Sequence, residues 1–237
     1  MLFEYTKCKK CGHINSAYKN ICAECKSYLR ERIVNIDLWN TIQLIIEDPV
    51  RAFKRIIFSE HKNFIVFITF FIALKNLITV RFLSIPDLGL IGVRTSFIFS
   101  LILMSLITLL LLISLSSVQS ILYRKKAINL RLKDIFAVNA YSFIPYLFGL
   151  IFIFPVELIV LGEDIFSNNP YSFQIKPLIT FLLIGFEFLT IFWSFYLIHR
   201  TIFLITSKRF FSIFITSIYF IIWSAALYLS SKIIFTI

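Results

Sequence analysis

Residues 135–161 read IFAVNAYSFIPYLFGLIFIFPVELIVL, with Glu157 as the one charged side chain in the run. A helix of this length reaches across the roughly 30 Å of a bilayer's hydrocarbon core with residues to spare. A basic knot precedes it: Arg124, Lys125, Lys126, Arg131 and Lys133. Outward from this stretch, two further long apolar runs lie before it and two after it. The whole chain of 237 residues is 59% hydrophobic and only 16% charged, against about 25% charged in soluble domains. So much Phe and Ile cannot be hidden inside a soluble globule of this size. The bilayer is the solvent.

Five spanning segments are expected: Phe64 to about Val80, Ser96 to Tyr123, Ile135 to Leu161, Leu178 to Ile198, and Phe210 to about Ile234. The second and third exceed about 20 residues and should tilt, bend or protrude. Charge alternates between the connections. Of the 24 Lys and Arg residues, eleven precede Phe64, five lie within Arg124–Lys133 and three within Arg200–Arg209. The remaining five are Lys75, Arg81, Arg94, Lys176 and Lys232. By the positive-inside rule the N-terminus is cytoplasmic and the C-terminus outside, in a multi-pass cell-membrane protein. The net charge of +11 is thus an orientation signal and an attraction for anionic lipid head groups; no nucleic-acid partner is expected. No basic-then-apolar leader precedes the first span, so no removable signal peptide is expected.

All four cysteines fall near the N-terminus, as Cys8-Lys9-Lys10-Cys11 and Cys22-Ala23-Glu24-Cys25. Two C-x2-C knuckles ten residues apart suit one tetrahedral ion with Zn–S distances of about 2.3 Å. Gly12 supplies the positive φ of the turn after the first knuckle. Disulfides or a redox pair are the alternatives, but the charge pattern puts this end in a reducing compartment. The reading is a structural zinc ribbon over residues 1–30 with Cys8, Cys11, Cys22 and Cys25 as ligands. His13 stands beside the first knuckle and is read as a surface residue, because four thiolates already complete the shell. A ribbon this small depends on its metal to fold.

Residues 36–58 read as amphipathic membrane-surface helices. Ile36, Trp39, Ile42, Ile45 and Ile46 recur at helical spacing. Asp48 and Pro49 then restart the chain as cap and first-turn residue. In the second piece Val50, Phe53, Ile56 and Ile57 oppose Arg51, Lys54 and Arg55. Such a helix either lies in the head-group plane or packs on the cytoplasmic end of the bundle.

Charges inside spans are costly and point to function unless a structural role is found. Glu187 lies mid-span with no partner visible in the sequence; it is read as a neutral carboxyl bonded to a neighbouring helix, or else as a proton- or ion-handling group. Lys75 and Glu157 have similar depth and could pair, although Lys75 could also snorkel outward. Pro145 and Pro155 should bend the third span, with Asn139, Tyr141 and Ser142 as polar contacts one turn away. Trp39, Trp193, Tyr123 and Tyr228 suit interfacial or lipid-facing anchors. H-E-x-x-H, G-x-S-x-G and Walker patterns do not occur, and His13, His61 and His199 stand by no nucleophile at a readable spacing. An enzyme is not expected. The fold class is therefore an all-α integral membrane protein: five transmembrane helices over residues 63–237, a small N-terminal zinc ribbon and an amphipathic interfacial helix.

The run Asp37-Leu38-Trp39, then Asp48-Pro49-Val50-Arg51-Ala52-Phe53, then five spans with Ala140-Tyr141-Ser142-Phe143-Ile144-Pro145 in the third, resembles the Yip membrane domain, the Rab/Ypt-interacting-protein type. The resemblance covers about Ile36 to Ile237 and is closer to prokaryotic forms with a cysteine-knuckle ribbon in front. In eukaryotes the family implies adaptor work in vesicle traffic, with binding of small GTPases and other membrane proteins. Here a ribbon replaces the long cytoplasmic tail of that setting, and the family supplies no catalytic residue. The expectation is a non-catalytic membrane scaffold or adaptor. Its ribbon recruits an unidentified cytoplasmic or membrane protein, with anionic head groups and the bilayer as its other contacts. The alternative is a small transporter or channel using Glu187 and the proline-bent third span.

Overall fold

The computed structural model describes residues 5–16, 19–83, 96–125, 128, 130–162, 165 and 172–234, with backbone alone at 81–83, 172–173 and 233–234. Arg94 and Lys126, both counted in the charge pattern above, lie outside the described residues, as does the side chain of Arg81.

The chain begins with a small ribbon. Strand β1 (Thr6–Lys7) pairs antiparallel with β2 (Ile14–Asn15) in the register Thr6↔Asn15 and Lys7↔Ile14, and an isolated bridge joins Ile21 to Tyr28. Helix α1 (Leu38–Glu47) follows, capped by the Asp37 carboxylate, which accepts from Asn40 N at 3.1 Å. Asp48 does the same for α2 (Pro49–Phe58), accepting from Arg51 N at 3.1 Å, and Pro49 occupies the first turn, where a missing N–H is no loss. Ala52, Phe53, Ile56 and Ile57 of α2 are buried against the bundle core, while Arg51 and Lys54 face out. Of the two placements open from sequence, α2 takes the one packed on the end of the bundle.

The bundle itself comprises α3 (Ile65–Leu83), α4 (Phe97–Arg124), a broken third segment, α9 (Pro177–Thr206) and α10 (Arg209–Ile234), with short α8 (Ser172–Ile175) before α9. Four of these segments are long and apolar enough to cross a membrane: Phe97–Arg124, Leu132–Leu161, Pro177–Thr206 and Arg209–Lys232. The apolar part of α3, Ile65–Val80, is shorter. Only 28, 39, 22 and 28% of the four apolar windows are buried inside the protein. Phe97, Leu110, Phe152, Ile159, Phe181 and Leu189 all point outward. So continuous an apolar exterior marks a membrane surface. Helix α9 runs on to Thr206, past the expected end at Ile198, because His199 and Arg200 are carried on the same uninterrupted helix. It stops at Ser207, which adopts φ 54° and returns its N–H to Phe203 O at 2.7 Å.

The third segment is interrupted or changes helical type near both prolines. Helix α5 (Leu132–Ser142) ends at Phe143, α6 (Ile144–Phe148) passes into a π-helical turn (Gly149–Ile153), and α7 (Phe154–Leu161) starts with Pro155 in its first turn. With the helix interrupted at Phe143, Tyr146 N bonds Ser194 Oγ on α9 at 3.0 Å instead. Phe143 itself stacks on Trp223, ring centroids 4.6 Å apart. The expected local contacts go elsewhere: Asn139 donates across to Ser116 Oγ and Gln119 Oε1 on α4, both at 3.0 Å, and Ser142 bonds Val138 O in its own helix. Tyr123 is not an interfacial or lipid-facing anchor. It is 1% exposed, within the core, because α4 turns that face toward α5 rather than toward lipid. Trp39, Trp193 and Tyr228 are exposed.

Candidate functional site

Two sites stand out, one in the ribbon and one inside the bundle. The sulfur atoms of Cys8, Cys11, Cys22 and Cys25 all lie within 4.8 Å of one another. Cys8 and Cys25 approach to 3.6 Å and Cys11 and Cys22 to 3.5 Å, close to the about 3.8 Å edge of a tetrahedron with 2.3 Å metal–sulfur bonds. These are free cysteines, not disulfides. Local backbone produces the convergence. Cys8 N donates to His13 O and Gly12 N to Cys8 O, with Gly12 at φ 74°. Cys22 N closes the second turn on Ser27 O, where Lys26 takes φ 58°.

The ring around the thiols fits a metal as well. Ser27 Oγ lies 2.9 Å from Cys25 Sγ and 3.2 Å from Cys8 Sγ, Lys10 N donates to Cys8 Sγ, and Asn15 Nδ2 to Cys22 Sγ. Asn15 is buried and held by Ala23 N at 2.9 Å. The Ser27 hydroxyl, with the backbone amides of the knuckle, pulls the Cys8 thiol down to about 5, whereas burial and the neighbouring thiols push Cys11 up to about 12, so the four thiols hold their protons unequally as one interacting set. The four cysteines can hold a metal ion. His13 points to Glu24 at 3.8 Å and is not in the cluster.

The ribbon is fastened to the bundle. Arg32 pairs bidentately with Glu60 at 3.0 and 3.1 Å, Arg30 lies 4.1 Å over the Phe58 ring, and Asn20 Nδ2 donates to Phe58 O. Glu60 N and His61 N bond Ile33 O and Val34 O. Just beyond, the buried Lys62 ammonium gathers Ile56 O, Ile57 O, Ser59 O and Asp134, at 3.2 Å for the carboxylate, with Arg131 on the same carboxylate at 2.8 Å. Lys62 thereby closes the C-terminus of α2, where carbonyls lack partners and positive charge is favoured. This residue had no sequence signal beyond its place after a helix end.

Inside the bundle Lys75 of α3 forms an ion pair with Glu187 of α9. Neither snorkelling of Lys75 nor a Lys75–Glu157 pair is what the fold adopts, and Glu187 has the partner that the sequence did not show. Lys75 is 1% exposed and sits 5.8 Å from the Tyr146 ring centroid. A hydrogen-bond chain runs alongside: Tyr146 donates to Asn76 Oδ1 at 3.0 Å, its oxygen meets Thr79 Oγ1 at 2.8 Å, and Asn76 Nδ2 donates to Thr108 Oγ1 at 2.9 Å. Gly149, in the π-helical turn, packs directly on the pair; a Cβ there would lie 2.9 Å from Glu187 Oε2 and 3.0 Å from Lys75 Cε. Glu157 is also 1% exposed. Its Oε2 has no hydrogen-bond partner. Glu157 and Glu187 both border a cavity of about 350 Å³. His199 is tied to Ser212 across the α9–α10 turn. No family model, curated protein or solved structure matches the chain.

Proposed function

We propose that the protein is a non-catalytic, multi-pass membrane scaffold of the Yip type, with α3 as a fifth span and a zinc ribbon as its recruiting head. Cys8, Cys11, Cys22 and Cys25 would hold the zinc. Four protein thiolates leave no position for water, so the ion's role is structural. The ribbon, the ends of α2 and α4, the start of α5 and the end of α9 share one end of the bundle. The three densest groups of Lys and Arg belong to these segments, which supports a cytoplasmic placement of that end.

The observation that carries the reading is the fastening of the ribbon. Arg32–Glu60 and Arg30–Phe58 hold it on the bundle, while Tyr5 (81% exposed) and Ile14 (64% exposed) on its hairpin face away. A fixed platform with apolar residues at its free edge suits recruitment of a protein. Photo-crosslinkers at Lys10 and Arg55 in native membranes test it. The expected result is a discrete protein adduct that disappears in the Cys22→Ser/Cys25→Ser protein. Adducts to lipid alone would overturn the reading.

A second reading, transport of a small solute, is favoured by the Lys75–Glu187 pair beside its cavity. It requires that Glu187→Gln abolish a flux in reconstituted vesicles while the fold is kept.

A further inference from the structure

The cavity inside the bundle has a chemistry of its own. It is a wedge between α9 and α10, floored by the third segment. Its volume of about 350 Å³ lies in the range of small-molecule sites, about 300–1,000 Å³. Phe188, Phe220, Trp223 and Tyr228 form its walls and Glu157 and Glu187 its charged side. Lys75 offsets Glu187. Glu157 is left over: 1% exposed, Oε2 without a partner, bordering the cavity. A carboxylate so deeply buried, with one oxygen unpartnered, is costly unless a counter-charge joins it. Aromatic faces around it attract cations and provide apolar contact for an organic body. An anion would meet two carboxylates against one ammonium. Phe188 (50% exposed) and Tyr228 (41% exposed) also reach the outside of the bundle, so two of the cavity's walls extend to its outer face.

We infer that this cavity is a binding site for a lipophilic organic cation, a ring-bearing ammonium whose charged head sits at Glu157 and whose apolar body lies against Phe188, Phe220 and Trp223. The site stands independently of the scaffold reading, since it involves neither the ribbon nor a partner protein.

The test uses the full chain in lipid nanodiscs and tritiated benzyltrimethylammonium, whose charge does not vary with pH. Protein-free nanodiscs measure partition into the bilayer. Saturable binding is expected, weakened about tenfold or more in Glu157→Gln, which keeps shape but removes the charge. Ser224→Phe is the second variant: Ser224 borders the cavity on an exposed position of α10. It should block binding while leaving every charged group in place and the thermal midpoint unchanged. The uncharged carbon isostere neopentylbenzene should compete poorly. Absence of saturable binding would overturn the inference. So would equal binding by wild type and either variant, or equal competition by neopentylbenzene, which would identify a purely apolar hole.

Discussion

Lys75 and Glu187 stand 112 residues apart in the chain and meet as an ion pair inside the bundle, with Gly149 of a third segment packed against both. The pair ties α3 to α9 inside the bundle, where the Lys75 side chain is only 1% exposed. Removing one partner leaves the other uncompensated, so Lys75→Met and Glu187→Met should each destabilise the protein by about 3–5 kcal/mol. The double variant should recover most of that loss. Unfolding of the four proteins in mixed micelles, read as a double-mutant cycle, measures the coupling.

Gly149→Ala probes the same contact from the other side. The atoms in its way are side-chain tips of Glu187 and Lys75, which can yield, so the cost is the spoiled geometry of the pair. A loss of about 1 kcal/mol, at the low end for overpacking, is expected. In a Glu187→Ala background only the Lys75 contact remains in the way of the methyl, so its cost should fall, a result that thermal unfolding can check.

The Tyr146 hydroxyl links Asn76 to Thr79. In Tyr146→Phe the buried Asn76 oxygen loses its donor, and a destabilisation of about 1–3 kcal/mol follows. Unchanged stability would show that another donor reaches Asn76.

Replacing Cys22 by Ser removes one of two buried thiols and the acceptor for Asn15. Metal analysis should fall from about one bound metal ion per chain to none. Amide exchange at Ile14 and Asn15 should rise to the rate of an unstructured segment.

The Arg32–Glu60 pair fastens the ribbon, and the Arg32 guanidinium holds the Glu60 carboxyl below its ordinary 4.5. A carboxyl whose folded pKa is depressed contributes stability above its unfolded pKa and loses it as pH falls through the folded one. At neutral pH, therefore, the Glu60 and His61 amides should exchange faster in Arg32→Gln than in wild type. That difference should shrink below pH 4.5, because acid breaks the wild-type pair too.

The four cysteines of the ribbon and the capping of α2 by Asp48 were legible in the chain itself, because knuckles and caps are made by residues a few positions apart. The membrane class was equally plain: apolar runs are a local property, and the solvent they need follows from their length. The break in regular helix near Pro145 and the restart at Pro155 followed from a missing donor and a fixed φ. What the sequence could not express was which buried groups would face one another. Lys75 met Glu187 rather than Glu157, Tyr123 turned inward rather than toward the membrane surface, and Asn139 reached across to α4. Each outcome depends on how one helix is rotated against the next, and rotation is set by packing among helices that are largely apolar on every side. Periodicity carries no such information when every side of a helix is hydrophobic. The sequence alone therefore determined the solvent of this protein and the four-cysteine cluster of its ribbon. Only the tertiary structure decided the pairing of its intramembrane charges, the place Gly149 must leave open, and the cavity that Glu157 borders.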